Sequence, residues 1–187
     1  DANPHPRGTM ELAEQHGTAL AQAVSRAVEQ KLDPVRGPLT VRFQRTDLPF
    51  VAPPSKAELE SQKGKGDVYT QRLTDYLLGQ LKEQGSIPTS YPFSAQIFEF
   101  GEDLTLIGLG GETVIDYAIR LHEELSVKHL WVAGYCNEVF AYVPSERVLK
   151  EGGYEGGGAM KYFGWHGPFQ PGVEDRIIKL IQTMLAQ

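Results

Sequence analysis

The segment from Leu104 to Gly134 narrows the fold most. Leu104 to Leu109 and His129 to Gly134 are short apolar runs. Between them Gly110-Gly111-Glu112 leads into a stretch where Val114, Ile115, Ala118, Leu121 and Leu125 recur at helical spacing. Strand, helix and strand in that order predict a βαβ crossover, with 104–109 and 129–134 parallel and joined right-handedly. Just upstream, Phe93 to Phe100 and Leu104 to Leu109 flank Gly101-Glu102-Asp103 and read as a hairpin. An antiparallel pair beside a parallel one predicts an α/β fold, a mixed β-sheet with a βαβ crossover flanked by helices.

The rest of the chain supplies the flanks. Thr9 caps a predicted helix running to about Lys31, with Leu12, His16, Ala19, Leu20, Ala23, Val24 and Ala27 on one stripe expected to face a core. Leu39, Val41 and Phe43 alternate with Thr40, Arg42 and Gln44, a strand with one wet face that ends near Leu48-Pro49. Ser55 and Glu58 form a capping-box pattern, Lys63 to Gly66 interrupts the helix that follows, and Tyr69, Leu73, Tyr76 and Leu77 restore helical spacing up to Gly85. Farther on come a short segment Val139 to Val143 and a turn of helix from Ser145. The glycine-rich run 151–158 reads as a mobile flap. Val173, Ile177, Ile178, Ile181, Met184 and Leu185 then form a closing amphipathic helix, with Glu174 and Asp175 at its positive end. With 187 residues, 41 % of them hydrophobic, and no long linker, residues 1–187 are expected to form a single domain.

Charge excludes one class of partner. Acidic side chains number 24 against 18 basic ones, a net charge of −6, and no Lys/Arg cluster offers the basic stripe a nucleic acid needs. No apolar run approaches the ~20 residues of a transmembrane helix, so no transmembrane segment is expected. The single cysteine, Cys136, excludes an internal disulfide framework and offers too few thiolates for a zinc knuckle. The opening Asp1-Ala2-Asn3-Pro4-His5-Pro6 reads like the middle of a loop, so a longer parent chain is expected.

Ligands of open α/β sheets gather beyond the carboxyl ends of parallel strands, where loops converge beside helix N-termini. Two segments should meet there: Gly110-Gly111-Glu112, and Tyr135-Cys136-Asn137 through Tyr142. Two readings of Glu112 stand side by side: the anionic member of a metal or polar-substrate site, or a first-turn glutamate stabilising its own helix by roughly 0.3–1 kcal/mol. Of the five histidines, none forms a ligand pair, because His122 lacks a second histidine four residues on. His16 and His122 read as helix residues and His5 and His166 as loop residues. Ser145 has no glycine elbow and reads as a helix cap, while Lys63 and Lys65 read as a solvated face.

Leu109-Gly110-Gly111-Glu112, Gly134-Tyr135-Cys136-Asn137 and Ala141-Tyr142-Val143-Pro144-Ser145, followed by Gly153-Tyr154-Glu155-Gly156, occur in the order seen in one family. The chain resembles the neutral/alkaline, non-lysosomal ceramidases, especially their bacterial ceramidase-like members, over most of residues 1–170. The resemblance makes it the later, C-terminal half of a ceramidase-like catalytic domain. It implies a hydrolase of sphingolipid metabolism that cleaves N-acylsphingosine or related small-molecule lipid amides with a zinc-activated water. It also implies a Zn2+ cofactor held by two histidines, a glutamate and a tyrosine, and a secreted or periplasmic location. On matching positions the metal ligands are Glu112 and Tyr142, and the two histidines lie upstream of Asp1. Asn137 and Tyr154 are placed to orient substrate. The family serine of Asp-x-Ser-Pro corresponds to Asn3, whose amide cannot act as that hydroxyl. The alternatives are a non-catalytic lipid- or glycan-binding module on the same scaffold, or a chain inert for want of the histidine ligands.

Overall fold

A computed structural model describes residues 5, 6 and 8–187, so Asn3 lies outside the described residues. The chain divides into two units, one up to Arg36 and one from Gly37 to Gln187. The first is built on helix α1 (Met10–Glu29), whose amide of Leu12 donates to the Thr9 hydroxyl at 3.2 Å. The apolar stripe is there, but the expectation that it faces a core is not met: no residue of α1 is buried, and Leu20 is 68 % exposed. Helical spacing creates a stripe; burial requires a surface to receive it.

The second unit is α/β. Its strands are β1 (Leu39–Pro49), β2 (Ser90–Phe100), β3 (Leu104–Leu109), β4 (Glu112–Thr113), β5 (Leu130–Ala133) and β6 (Tyr142–Val143). Its helices are α2 (Lys56–Gln62), α3 (Val68–Gln84), α4 (Asp116–Glu124), α5 (Glu146–Glu151) and α6 (Val173–Leu185). A four-stranded sheet runs β1-β2-β3-β5, and β4 and β6 form a separate two-stranded one. The β1–β2 and β2–β3 pairs are antiparallel and β3–β5 is parallel, so both the predicted hairpin and the crossover topology are present.

One face of the larger sheet packs into the main core, where Phe93, Ala95, Ile97, Ile107 and Leu109 meet Tyr117 and Leu121 of α4 and Ile177 and Ile181 of α6. Each large aliphatic side chain buried there stabilises by roughly 1.5–3 kcal/mol. The wet face expected on β1 is reversed. Register sets Arg42 opposite Ile97 and Gln44 opposite Ala95, on the core side, while Val41 and Phe43 are 50 % and 48 % exposed on the other. Trp131 of β5 shares that open face through the chain of partners Val41–Phe98–Leu106–Trp131, and it too is exposed. Hydrophobicity alone does not choose a strand's buried face; the register with its neighbour does.

The capping box of α2 forms as expected, and Leu59, Leu77 and Ile87 make a small second core between α2 and α3. Two expectations change. Helix α4 starts at Asp116 rather than at Glu112, its buried residues are Tyr117 and Leu121, and Ile115 is exposed. Glu112 is instead a strand residue, so the first-turn reading of that carboxylate falls. Residues 154–158 also form a compact helical turn rather than an open flap, and glycine is required in it. A Cβ on Gly156 would stand 2.6 Å from the Val148 carbonyl oxygen, and one on Gly158 would stand 2.8 Å from that of Gly153.

The end of α4 nearest the small sheet is tied down by polar contacts. The buried Tyr117 hydroxyl donates to the Pro144 carbonyl at 2.9 Å, and the Ser145 hydroxyl donates both to Asp116 and, as N-cap acceptor, receives the Val148 amide at 3.2 Å. Arg147 pairs with Asp116 at 2.9 Å, and its hydrogen bond holds the Asp116 carboxyl below the usual range. A carboxylate whose pKa is depressed on folding adds stability above its unfolded value of about 3.9, and that stability is lost as pH falls through the folded pKa. Asp116→Asn is therefore expected to lower the urea midpoint at pH 7, with the gap to the wild type closing as pH falls below 4. A gap that is constant from pH 7 to pH 2 would remove this linkage.

Candidate functional site

Three glycines let two chain segments interlock at the carboxyl ends of β3 and β5. Gly111 sits at φ +73°, and a Cβ there would meet Val143 Cγ2 at 2.8 Å and the Ala141 carbonyl oxygen at 3.0 Å. On Gly110 it would stand 3.1 Å from Ser94 Oγ, and on Gly134 it would stand 2.9 Å from Thr113 Oγ1. The backbones close to this distance because no side chain intervenes. The amide of Gly111 donates to Glu138 O at 2.7 Å, that of Tyr135 to Gly111 O at 2.8 Å, and that of Cys136 to Leu109 O at 3.0 Å. Farther along, Glu112 N donates to Ala141 O at 2.9 Å and Val114 N to Val143 O at 3.3 Å.

That lattice makes β4 and β6 a parallel pair in which Glu112 is the direct partner of Tyr142. Both side chains are half-buried. The phenols of Tyr142 and Tyr135 lie within hydrogen-bonding reach of the Glu112 carboxylate. Burial, with the Glu112 carboxylate second, pushes Tyr142 up to about 12; for Tyr135 the Glu112 carboxylate is the first cause of an upward shift. Tyr135 reaches this position from a left-handed backbone, φ 58°. That conformation costs a non-glycine residue about 1–2 kcal/mol and is offset here by the paired amides on either side.

Tyr154 joins the group: its ring lies 5.4 Å from that of Tyr142, edge to face. The ring contacts continue outward from Tyr154 to Tyr162 at 6.0 Å and from Tyr162 to Tyr69 at 4.8 Å. Asn137 is exposed in the same turn at φ 67°, and its side chain forms no hydrogen bond with a described residue. The structure thus brings Glu112, Tyr142 and Tyr154 together and leaves Asn137 at the rim. A second carboxylate lies behind the turn. Glu138 accepts from the Tyr91 hydroxyl at 2.7 Å and the Ser94 hydroxyl at 3.1 Å, and burial, then Glu138, pushes the Tyr91 phenol up.

Sequence reasoning placed phenols near this strand end but did not single out Tyr135 or Glu138. A positive φ at a tyrosine has no sequence signal, whereas the Ser94–Glu138 contact depends on register. Among the described residues, no group of three or more His, Cys, Asp and Glu side chains gathers where it would hold one ion. His16, His122 and His129 are exposed, and His166 Nε2 is 2.9 Å from the Val51 carbonyl oxygen.

No family model and no curated protein matches the chain. Among solved structures, a ceramidase complexed with C2 is similar over 84 % of this chain, at 16 % identity and a TM-score of 0.47. The chain spans 31 % of the length of that ceramidase.

Gly111→Ala is expected to cost roughly 1–3 kcal/mol, from the left-handed backbone and the contacts with Val143 and Ala141. Chemical denaturation measures this. A change under about 0.5 kcal/mol, the range of an ordinary surface substitution, would mean that the interlock tolerates a side chain.

Proposed function

We propose that Glu112 and Tyr142 form one side of a zinc site, and that this chain is part of a ceramidase-like hydrolase acting on N-acylsphingosines or related N-acyl amides. The observation that carries the reading is the β4–β6 pairing, which sets a half-buried carboxylate directly beside a half-buried phenol at the carboxyl edge of the parallel strands. A site of this kind suits zinc, which accepts carboxylate oxygen at ~2.0–2.2 Å and in catalytic sites keeps a position open. The residues fit half of such a shell: Glu112 would offer one oxygen, Tyr142 its phenol oxygen after losing the proton, and the histidines would come from outside residues 1–187. When bound, zinc supplies an acidified water and a polarised amide carbonyl.

The chain's own residues have distinct parts. Glu112 brings the negative charge that a divalent cation needs. Tyr135 is a positioning residue, its phenol directed at the same carboxylate and fixing which oxygen is left for the metal. Tyr154 closes one side of the phenol and offers a flat apolar face to a substrate. Asn137, at the rim, would orient the polar end of an entering amide. With Asn3 in the serine position, water rather than a side-chain hydroxyl is the nucleophile in this reading.

A binding module without chemistry is the second reading, favoured by the tyrosines leading away from Glu112. Zinc titration of the full-length protein tests the first. Glu112→Gln and Tyr142→Phe are each expected to weaken zinc at least about tenfold, and Tyr135→Phe to weaken it by a similar factor through lost orientation. Unaltered zinc affinity in Glu112→Gln would remove the assignment. Incubating the same protein with N-acylsphingosine and with simpler N-acyl amides, with and without chelator, separates the readings: chelator-sensitive product supports the hydrolase, and none supports the module.

A further inference from the structure

Beyond the Glu112 cluster, the line of tyrosine rings ends in a cleft of about 270 Å³ lined by Tyr69, Arg72, Leu73 and Tyr76 of α3 and by Lys161, Tyr162 and Gly164. Tyr69, Arg72, Leu73 and Tyr76 are at positions i, i+3, i+4 and i+7, so one face of α3 builds one wall. Tyr162 builds the opposing corner, its ring at 75° to that of Tyr69 with centroids 4.8 Å apart. Tyr69, Tyr76 and Tyr162 are 46 %, 53 % and 46 % exposed, so each keeps substantial surface open to a ligand.

The charges of the cleft are unequal in availability. Lys161 is engaged twice, by an ion pair with Asp67 at 2.6 Å and by a position 5.3 Å from the centre of the Tyr162 ring. Arg72 has no ion-pair or hydrogen-bond partner among the described residues, although the protein as a whole carries net charge −6. An unspent guanidinium is a planar fork suited to a carboxylate, and it stands here among flat aromatic faces. The cleft is below the ~300–1,000 Å³ of sites for drug-sized ligands and has room for about one ring. Apart from Leu73 it has no aliphatic lining, which disfavours an acyl chain.

We propose that this cleft binds an acidic sugar, a pyranose whose face stacks on the tyrosine rings and whose carboxylate pairs with Arg72. The site is independent of the zinc reading. The same sugar can be presented by a free oligosaccharide or by a glycolipid headgroup. In the second case, the tyrosine line through Tyr162 and Tyr154 leads from the anchored headgroup toward Glu112.

Calorimetric titration of the full chain with 3′-sialyllactose and with trigalacturonate tests the chemistry, with lactose as the neutral control. Flotation with phosphatidylcholine vesicles, plain or doped with a ganglioside carrying the sialyllactose headgroup, distinguishes the sources. Binding of at least one acidic saccharide over lactose is expected. Arg72→Gln is expected to weaken it at least about tenfold, as loss of a charge-assisted hydrogen bond does. Tyr162→Ala should abolish binding, while Tyr162→Phe should retain it, a contrast that a merely misfolded variant would not give. Ganglioside-dependent flotation assigns the headgroup as a source, and its absence alongside free-saccharide binding assigns the free sugar. Failure of both acidic saccharides to bind, or indifference of their binding to Arg72→Gln, would overturn the proposal.

Discussion

The arrangement around Glu112 depends on a close approach of two backbones. Gly111 donates to Glu138 O and accepts from Tyr135 N, so a single residue without a side chain holds both sides of the turn after β5. From there the pairing of β4 with β6 is only two residues long, too short to be stable by itself. It persists because its ends are fastened elsewhere: Tyr117 reaches back from α4 to Pro144, and Ser145 ties the start of α5 to Asp116. The site is thus a consequence of packing between the crossover helix and the strands, and the carboxylate inherits its position from a glycine.

Patterns that depend on neighbours in sequence were legible; those that depend on neighbours in space were not. The hairpin β2–β3, the Ser55–Glu58 capping box and the end of α3 at Gly85 follow from local turn and capping chemistry, and the parallel β3–β5 pair from the order strand, helix, strand along the chain. The start of α4 did not. Val114 and Ile115 fit the helical period, yet Val114 N is taken by Val143 O, and that hydrogen bond exists only once residue 143 has returned to the sheet edge. Glu112 was therefore recognisable as a residue at the right edge of the sheet, while its backbone conformation and its phenolic neighbour Tyr135 were hidden in a long-range pairing. Tyr142 and Tyr154 were linked to it only by the order of motifs in the resemblance; that their rings touch was not legible, because it depends on where residues 142 and 154 are carried in space.

The open face of the larger sheet shows how local pattern and register can conflict. β1 alternates cleanly, but its less exposed side carries Arg42 and Gln44. Arg42 is neutralised there by Glu99, its diagonal neighbour on β2, and Gln44 donates to the Gln187 side chain at 3.2 Å. A sheet with Val41, Phe43 and Trp131 48–62 % exposed on one face, and Ile97 and Ile107 fully covered on the other, carries apolar side chains on both sides. That departs from the clean alternation, apolar inward and polar outward, of a sheet with one wet face.

The electrostatics of the Glu112 group follow from the same geometry. A half-buried carboxylate is costly unless it is compensated, and two phenols within reach of it supply neutral donors rather than a counter-charge. Each phenol consequently holds its proton more tightly, Tyr142 first through burial and then through the carboxylate, Tyr135 first through the carboxylate, because ionising either would place a second negative charge beside the first. A cation entering this pocket would reverse that balance: it would favour the phenolate over the phenol, and its binding would release the proton that Tyr142 retains without it. If the proposed zinc binds there, its affinity would be tied to proton release and would rise with pH as the proton becomes easier to displace. In the proposed zinc reading, carboxylate and phenol would act together, since the first would supply permanent charge and the second would supply charge only with the ion there to stabilise it.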